Sequence, residues 1–371
     1  MNDQRSCRPL SRILSEKRSL CDAATSRREF LKSVAAAGAG ALLPAAAWMP
    51  QIASSSGDRK GGLRDGLIDV HSHFIPPSVI PQLDAKSLGP MAGWTAARTL
   101  EEMDRSGVST VITSTAPAGG DAFGDPSTAV RLARECNDYA AGLAVDHPGR
   151  FGVFTNVPMP NIDATLREIE YGFDTLKADG VALFTNYGDR FLGDPLFNPV
   201  FEELNRRNAV VYTHPQVADC CKNLIAGIGY ASIEFGTNTT RAIAQVVFGG
   251  AAARYPNVRL IWSHGGGTMP YLVERFALMA QSAQMAPKFP QGFVGAAGKF
   301  YYDTAFVENA AAMSALRKVV PMSQIVFGTD YPYRSFADNV KDLDGCGVFS
   351  AEELRLIHRE NAAPLFPRFK A

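Results

Sequence analysis

From Leu67 onward the chain alternates short, β-branched apolar runs with amphipathic helical patterns, and this rhythm confines it to a parallel sheet of repeated strand-helix units. Eight runs read as strands: Leu67 to Val70, Val108 to Thr113, Phe151 to Val157, Val181 to Phe184, Ala209 to Thr213, Leu260 to Ser263, Phe300 to Asp303 and Ile325 to Phe327. Most are nearly continuous in apolar residues, as strands are when protein covers both faces. Helical patterns fall at Thr99 to Arg105, Thr128 to Asp146, Ala164 to Ala178, Phe197 to Arg207, Thr239 to Ala253, Pro270 to Met279, Ala310 to Val319 and Glu352 to Asn361. Eight strands and eight helices in about 300 residues is the count of a single (β/α)8 TIM barrel of the α/β class. An open doubly wound sheet is the rival, but no G-x-G-x-x-G opens a helix after any of these strands. One insertion, Gln216 to Thr237, follows the fifth strand and is expected above the barrel's C-terminal face.

The first residues do not share this rhythm. Ser26, Arg27, Arg28, Glu29, Phe30, Leu31 and Lys32 precede an uncharged run from Val34 to Ala47 rich in Ala, Gly and Leu. That order predicts a twin-arginine export signal over residues 1–47, with small residues near Ala45 to Ala47 for cleavage, then a linker over 48–66 and one barrel domain over 67–371. The apolar run is too short to span about 30 Å of hydrocarbon as a helix, so no permanent membrane anchor is expected. The implied partner is the twin-arginine translocation machinery, and the implied location is periplasmic or exported. The whole chain holds 37 basic and 37 acidic residues; eight basic and four acidic ones lie in residues 1–47, leaving 29 against 33. A mildly acidic domain with scattered charge offers no basic stripe for nucleic acid. Its four remaining cysteines, Cys136, Cys220, Cys221 and Cys346, are too few for a disulfide framework and show no C-x-x-C spacing. They read as thiols buried like small hydrophobes.

Of the six histidines, four end strands. His71 and His73 flank Ser72, and a strand's period of two turns both imidazoles to one side. His214 ends the fifth strand before Pro215, His264 ends the sixth before three glycines, and Asp330 closes the eighth. Strand C-termini converge on one mouth in a barrel, so these distant residues become neighbours. Imidazoles with a carboxylate suit one divalent metal ion, zinc first and manganese second, with an open position for substrate. Each residue alone has a structural reading, such as a hydrogen-bonded core histidine or a helix cap at Asp330. His147 and His358 lie off the pattern and are read as structural.

With His71-x-His73, Asn205-Arg206-Arg207 to His214-Pro215, His264-Gly265-Gly266-Gly267 and Gly328-Thr329-Asp330-Tyr331-Pro332, the sequence resembles the amidohydrolase superfamily over roughly Leu67 to Phe366. Within it the chain is most similar to the branch of aminocarboxymuconate-semialdehyde decarboxylase, and its fourth and fifth strands to the 6-methylsalicylate decarboxylase group. The resemblance implies that His71, His73, His214 and Asp330 hold the metal and that His264 is the catalytic histidine. It also implies a homodimer in which Arg275 reaches the partner's substrate carboxylate; an ion pair with Glu274 is the structural alternative. Relatives with two metals carry a modified Lys at the end of the fourth strand, whereas Leu183-Phe184-Thr185 stands here, so one metal is favoured.

The implied activity is metal-dependent, non-oxidative decarboxylation of a small hydroxy-aromatic or related unsaturated carboxylic acid, such as a salicylate-type acid. Either Asp330 acts as acid toward the ring carbon or His264 acts as base toward a water at the metal. The same ligands would serve a hydrolase of a lactone, ester or amide, and a non-catalytic binding protein is the third reading. The leader reading has its own test: replacing Arg27 and Arg28 together with Lys should leave the precursor in the cytoplasm on fractionation, and unchanged export would refute it.

Overall fold

Eight parallel strands follow one another around a single axis in chain order: β1 (Leu67–Phe74), β2 (Val108–Thr115), β3 (Phe151–Asn156), β4 (Gly180–Phe184), β5 (Val210–His214), β6 (Arg259–Trp262), β7 (Tyr301–Asp303) and β8 (Ile325–Val326). This computed structural model describes residues 66–83, 88–115, 125–222 and 224–370. They belong to the compact unit Lys60–Ala371. The predicted leader and residues 48–65 of the predicted linker lie outside the described residues. The ring closes where Val70 N–H donates to the Phe327 carbonyl at 3.0 Å and His73 N–H to the Tyr331 carbonyl at 2.7 Å. No helix among the described residues is long and apolar enough to cross a membrane.

Several of the crossover helices start where the sequence supplies caps. In α1 (Ala96–Ser106) the Thr95 side chain accepts from Arg98 N–H, and Gly107 ends the helix in the left-handed region. In α2 (Pro126–Asp146) Asp125 accepts from the Ser127 and Thr128 amides, and Pro126 occupies a position whose missing N–H costs nothing. Then follow α3 (Ile162–Glu170), α4 (Asn198–Arg206), α5 (Glu234–Phe248), α6 (Met269–Ala280), α7 (Ala310–Val319), α8 (Phe336–Gly345) and α9 (Ala351–Arg355).

Several boundaries differ from the sequence reading. The helix expected over Ala164 to Ala178 leaves α-geometry at Tyr171 and finishes as a π turn, Tyr171–Thr175. The one expected over Glu352 to Asn361 does the same after Arg355. The helix expected over Thr239 to Ala253 begins at Glu234, which shortens the insertion, and breaks at Gly249 and Gly250 before the short helix Ala251–Arg254. Helix α8 has no counterpart in that reading, because its apolar residues Phe336, Val340 and Leu343 are diluted by four charged ones. Two-residue strands Asn186–Tyr187 and Arg190–Phe191 form a hairpin above β4. All four described cysteines are free; Cys136 and Cys221 are buried as expected, whereas Cys220 is exposed and Cys346 half-buried.

The inward residues of the strands make an apolar floor of Ile68, Val70, Ile112, Phe154, Val210, Tyr212, Ile261 and Val326, sealed from below by Leu365, Phe366 and Phe369 of the C-terminal segment. A strict period of two would continue Ile68 and Val70 with Ser72 and Phe74, turning both histidines outward. Instead, β1 carries an irregularity: Asp69 pairs with Val111 but Ser72 with Thr113, so three steps on β1 match two on β2. The extra residue reverses the alternation, sends Phe74 to the outer core and aims His71 and His73 at the axis. The amide that the bulge frees, His71 N–H, donates to Asp69 Oδ1 at 2.9 Å.

Because Phe366 fills the lower end with no exposed surface to speak of (1%), Phe366→Ala should lower unfolding free energy by about 3–5 kcal/mol in denaturant titrations. Metal bound per chain should be unchanged, since the floor separates this plug from the mouth.

Candidate metal centre

Above the apolar floor the inward positions become polar. His71, His73, His214, His264 and Asp330 are all nine-tenths or more buried. Imidazole ring centroids lie 5.0 Å apart for His71 and His73, 5.1 Å for His71 and His214, 5.1 Å for His71 and His264, and 4.9 Å for His73 and His214. Ligand atoms of His71, His214, His264 and Asp330 fall within 4.8 Å of one another. His73 joins through Nε2, which is 3.2 Å from His71 Nε2 and 2.9 Å from Asp330 Oδ1. All five residues singled out at strand ends are therefore brought together.

Each ring is turned by what its other nitrogen meets. His71 Nδ1 lies 2.8 Å from Asp303 Oδ2, His214 Nδ1 2.8 Å from the Pro215 carbonyl, and His264 Nδ1 3.0 Å from the Ala305 carbonyl. A carbonyl only accepts, so His214 and His264 carry their protons on Nδ1 and present Nε2 lone pairs to the centre. Those two Nε2 atoms are buried with no hydrogen-bond partner. The His214 acceptor, beside the His71 and His73 rings and the Asp330 carboxylate, makes a donor set that a divalent metal fits, and the His264 acceptor stands next to it. Burial pushes His214 well below the usual imidazole range and would do the same to His71, but Asp330 and Asp303 raise His71 to about 10. Burial works to raise Asp330, yet His71 and His73 hold its carboxyl well below the carboxylate range.

Local backbone explains the sequence motifs. Only five described non-glycine residues have left-handed φ, and His264 (53°), Phe306 (59°) and Asp330 (60°) are three of them, so strain concentrates at this mouth. At Gly328 a Cβ would sit 2.8 Å from Asp303 Cβ and 2.9 Å from His71 Cβ, so glycine is what lets β1, β7 and β8 meet here.

Asp303 is the functional residue that sequence reasoning passed over, although it closes the seventh predicted strand. Its Oδ2 holds His71, while its Oδ1 accepts from the His264 amide at 2.8 Å and the Ala305 amide at 3.1 Å. Arg275 lies on α6, exposed, and makes no ion pair among the described residues; the alternative pairing with Glu274 does not form. Of the residues near the fourth strand, Tyr187 accepts from Phe184 N–H at 3.0 Å and Asn186 donates to the Gly188 carbonyl at 2.8 Å, both building the hairpin. His358 is paired with Asp344 at 3.1 Å, and His147 caps α2.

A (β/α)8 barrel whose strand ends gather four imidazoles and a carboxylate around a cation site defines a metal-dependent enzyme barrel. The family model described as amidohydrolase matches residues 68–368, and the chain belongs to that family. The decarboxylase yanB of Aspergillus niger is 35% identical over 323 residues, 82% of this chain and 88% of the relative. The 6-methylsalicylic acid decarboxylase of Penicillium expansum is 34% identical over 323 residues, 82% and 97% of the two chains. In fold, the crystal structure of a dihydroxybenzoic acid decarboxylase from Polaromonas sp. with bound manganese is similar at a TM-score of 0.73 and 21% identity, covering 83% of this chain and 98% of that one.

Carboxylate partners of ligating histidines commonly account for 10–100-fold in metal affinity. Asp303→Asn should therefore weaken metal binding by about that factor in a chelator competition, with far-UV circular dichroism unchanged. Equal affinities would mean that Asp303 does not tune the centre.

Proposed function

We propose that the chain is a metal-dependent, non-oxidative decarboxylase of a small hydroxy-aromatic carboxylic acid of the salicylate type. The observation that carries the reading is a cluster of inward-facing imidazoles under a mouth lined by aromatic rings. Phe235 lies 5.7 Å from His214, Phe306 6.1 Å from His264 and Tyr333 6.0 Å from His73, centroid to centroid. Flat rings beside three of the imidazoles suit a flat substrate. Relatives at about one-third identity over four-fifths of the chain carry decarboxylase names, which supports the same reading.

In this proposal His71, His73, His214 and Asp330 hold one divalent ion, zinc first and manganese second. When bound, the ion supplies Lewis-acid stabilisation of the charge that develops as the carboxylate leaves. His264 is kept for proton transfer: its Nδ1 proton is engaged by Ala305, and its Nε2 stands 3.9 Å from Asp330 Oδ2 without a hydrogen bond. The glycines after it and the Asp303 carboxylate fix where that nitrogen points. The buried walls limit water at the reacting carbon. The assembly proposed is a homodimer, with Arg275 directed to the partner's substrate; its exposure, with no ion pair among the described residues, supports that role. Location outside the cytoplasm through the twin-arginine pathway rests on the leader sequence.

Metal-loaded protein should release carbon dioxide from salicylate-type acids and leave a panel of lactones and esters intact; the reverse pattern would establish a hydrolase. His264→Ala should keep metal content near that of the unaltered protein while turnover falls on the order of 10²–10⁴-fold. Loss of metal in that variant would instead make His264 a ligand.

A further inference from the structure

Neither the backbone nor the core calls for a phenylalanine at position 306. Its φ of 59° is a conformation that glycine or asparagine adopts at lower cost, and its side chain is half exposed (50%), so it serves neither the turn nor the core. Strain of this kind persists only where surrounding bonds impose it. Here they do: Ala305 N–H donates to Asp303 Oδ1 at 3.1 Å, the Ala305 carbonyl accepts from His264 Nδ1 at 3.0 Å, and Val307 N–H closes the turn on the Thr304 carbonyl at 3.1 Å. The loop that carries Phe306 is thus tied to the same two groups that organise the metal centre. The Arg334 guanidinium lies 6.0 Å from the ring centroid and is anchored to Glu308 at 2.8 Å. The ring is held at the rim, beside His264, with half its surface waiting for a partner.

We infer that Phe306 is a specificity-determining residue whose ring packs against the aromatic ring of the bound acid and selects it over non-aromatic unsaturated acids of similar charge. The inference rests on the proposed substrate class and adds the group that recognises the ring. An aromatic pair contributes beyond simple burial, and a lost apolar contact in a binding pocket is worth a ten-fold effect or more.

The decisive variant is Phe306→Gly, because glycine relieves the backbone while deleting the ring. Affinity for a hydroxy-aromatic acid is measured calorimetrically on metal-loaded protein alongside KM, kcat, metal content and thermal midpoint. The expected result is binding of salicylate weakened about ten-fold or more and KM raised in step, with metal content equal and the thermal midpoint equal or higher. Phe306→Leu should fall between the two, and the affinity for a non-aromatic unsaturated acid such as muconate should change little. Unchanged salicylate affinity in the glycine variant would overturn the inference, as would a drop in thermal midpoint with salicylate and muconate affected equally. Unaltered protein that binds salicylate without releasing carbon dioxide would defeat the decarboxylase reading alone, and the glycine variant's affinity would still decide the role of Phe306. Unaltered protein that binds no aromatic acid would overturn it.

Discussion

One carboxylate sets the geometry of the mouth. Asp303 divides its two oxygens between the end of the first strand and the loop after the sixth: Oδ2 turns the His71 ring, and Oδ1 draws in the His264 and Ala305 amides. The orientation of His71 Nε2, the left-handed turn at His264 and the presentation of Phe306 all follow from where this side chain sits. It has no exposed surface, so its bonds are made in low dielectric, where each is strong and the loss of any is costly. Without a glycine at 328, β8 could not pass close enough for the arrangement to form.

The polar layer is built on the apolar one beneath it. Phe154 stacks on Tyr212 at 5.3 Å, and Tyr212 in turn touches His71 at 5.0 Å. Charged groups this deep would ordinarily neutralise, yet here opposite charges stand within hydrogen-bond reach and favour their charged forms. At Asp69 desolvation prevails: burial raises its carboxyl to about 7 even though it accepts from Thr329 and from the His71 amide and lies near the His71 charge. A buried carboxylate is tolerated as a clasp between the first and last strands because amides and a hydroxyl satisfy it.

Much of this was legible in the sequence, and the reason is physical. Strands covered on both faces must be apolar along their length, so all eight were visible, and polar residues at their ends stood out against that background. The five converging residues were found this way. What escaped depends on relations between segments. The bulge in β1 inserts one residue relative to β2, and nothing in Val70-His71-Ser72 alone announces it; simple alternation gave the shared face of His71 and His73, and the bulge turns that face to the same side as Ile68 and Val70. Asp303 reads as a strand end until the partner histidine is in view. Helix α8 escaped because its polar face outweighs its apolar stripe, and the π turns because the hydrophobic period barely changes across them. Arg275 is exposed on α6, and its assignment still derives from the family resemblance.

The seal at the lower end has a consequence for how the chain acquires this structure. Phe366 and Phe369 follow the eighth strand, and Arg359 reaches back to the Gly66 carbonyl across 293 positions. Asp69 likewise meets Thr329 over 260 positions. Interactions of such sequence separation form late and slowly. During synthesis from the N-terminus, strands can pair as they emerge, but the seam beside β1 needs β8 and the floor needs the segment that follows it. Until β8 and the segment after it emerge, the strands already made have no partner across that seam and no cover for their apolar floor.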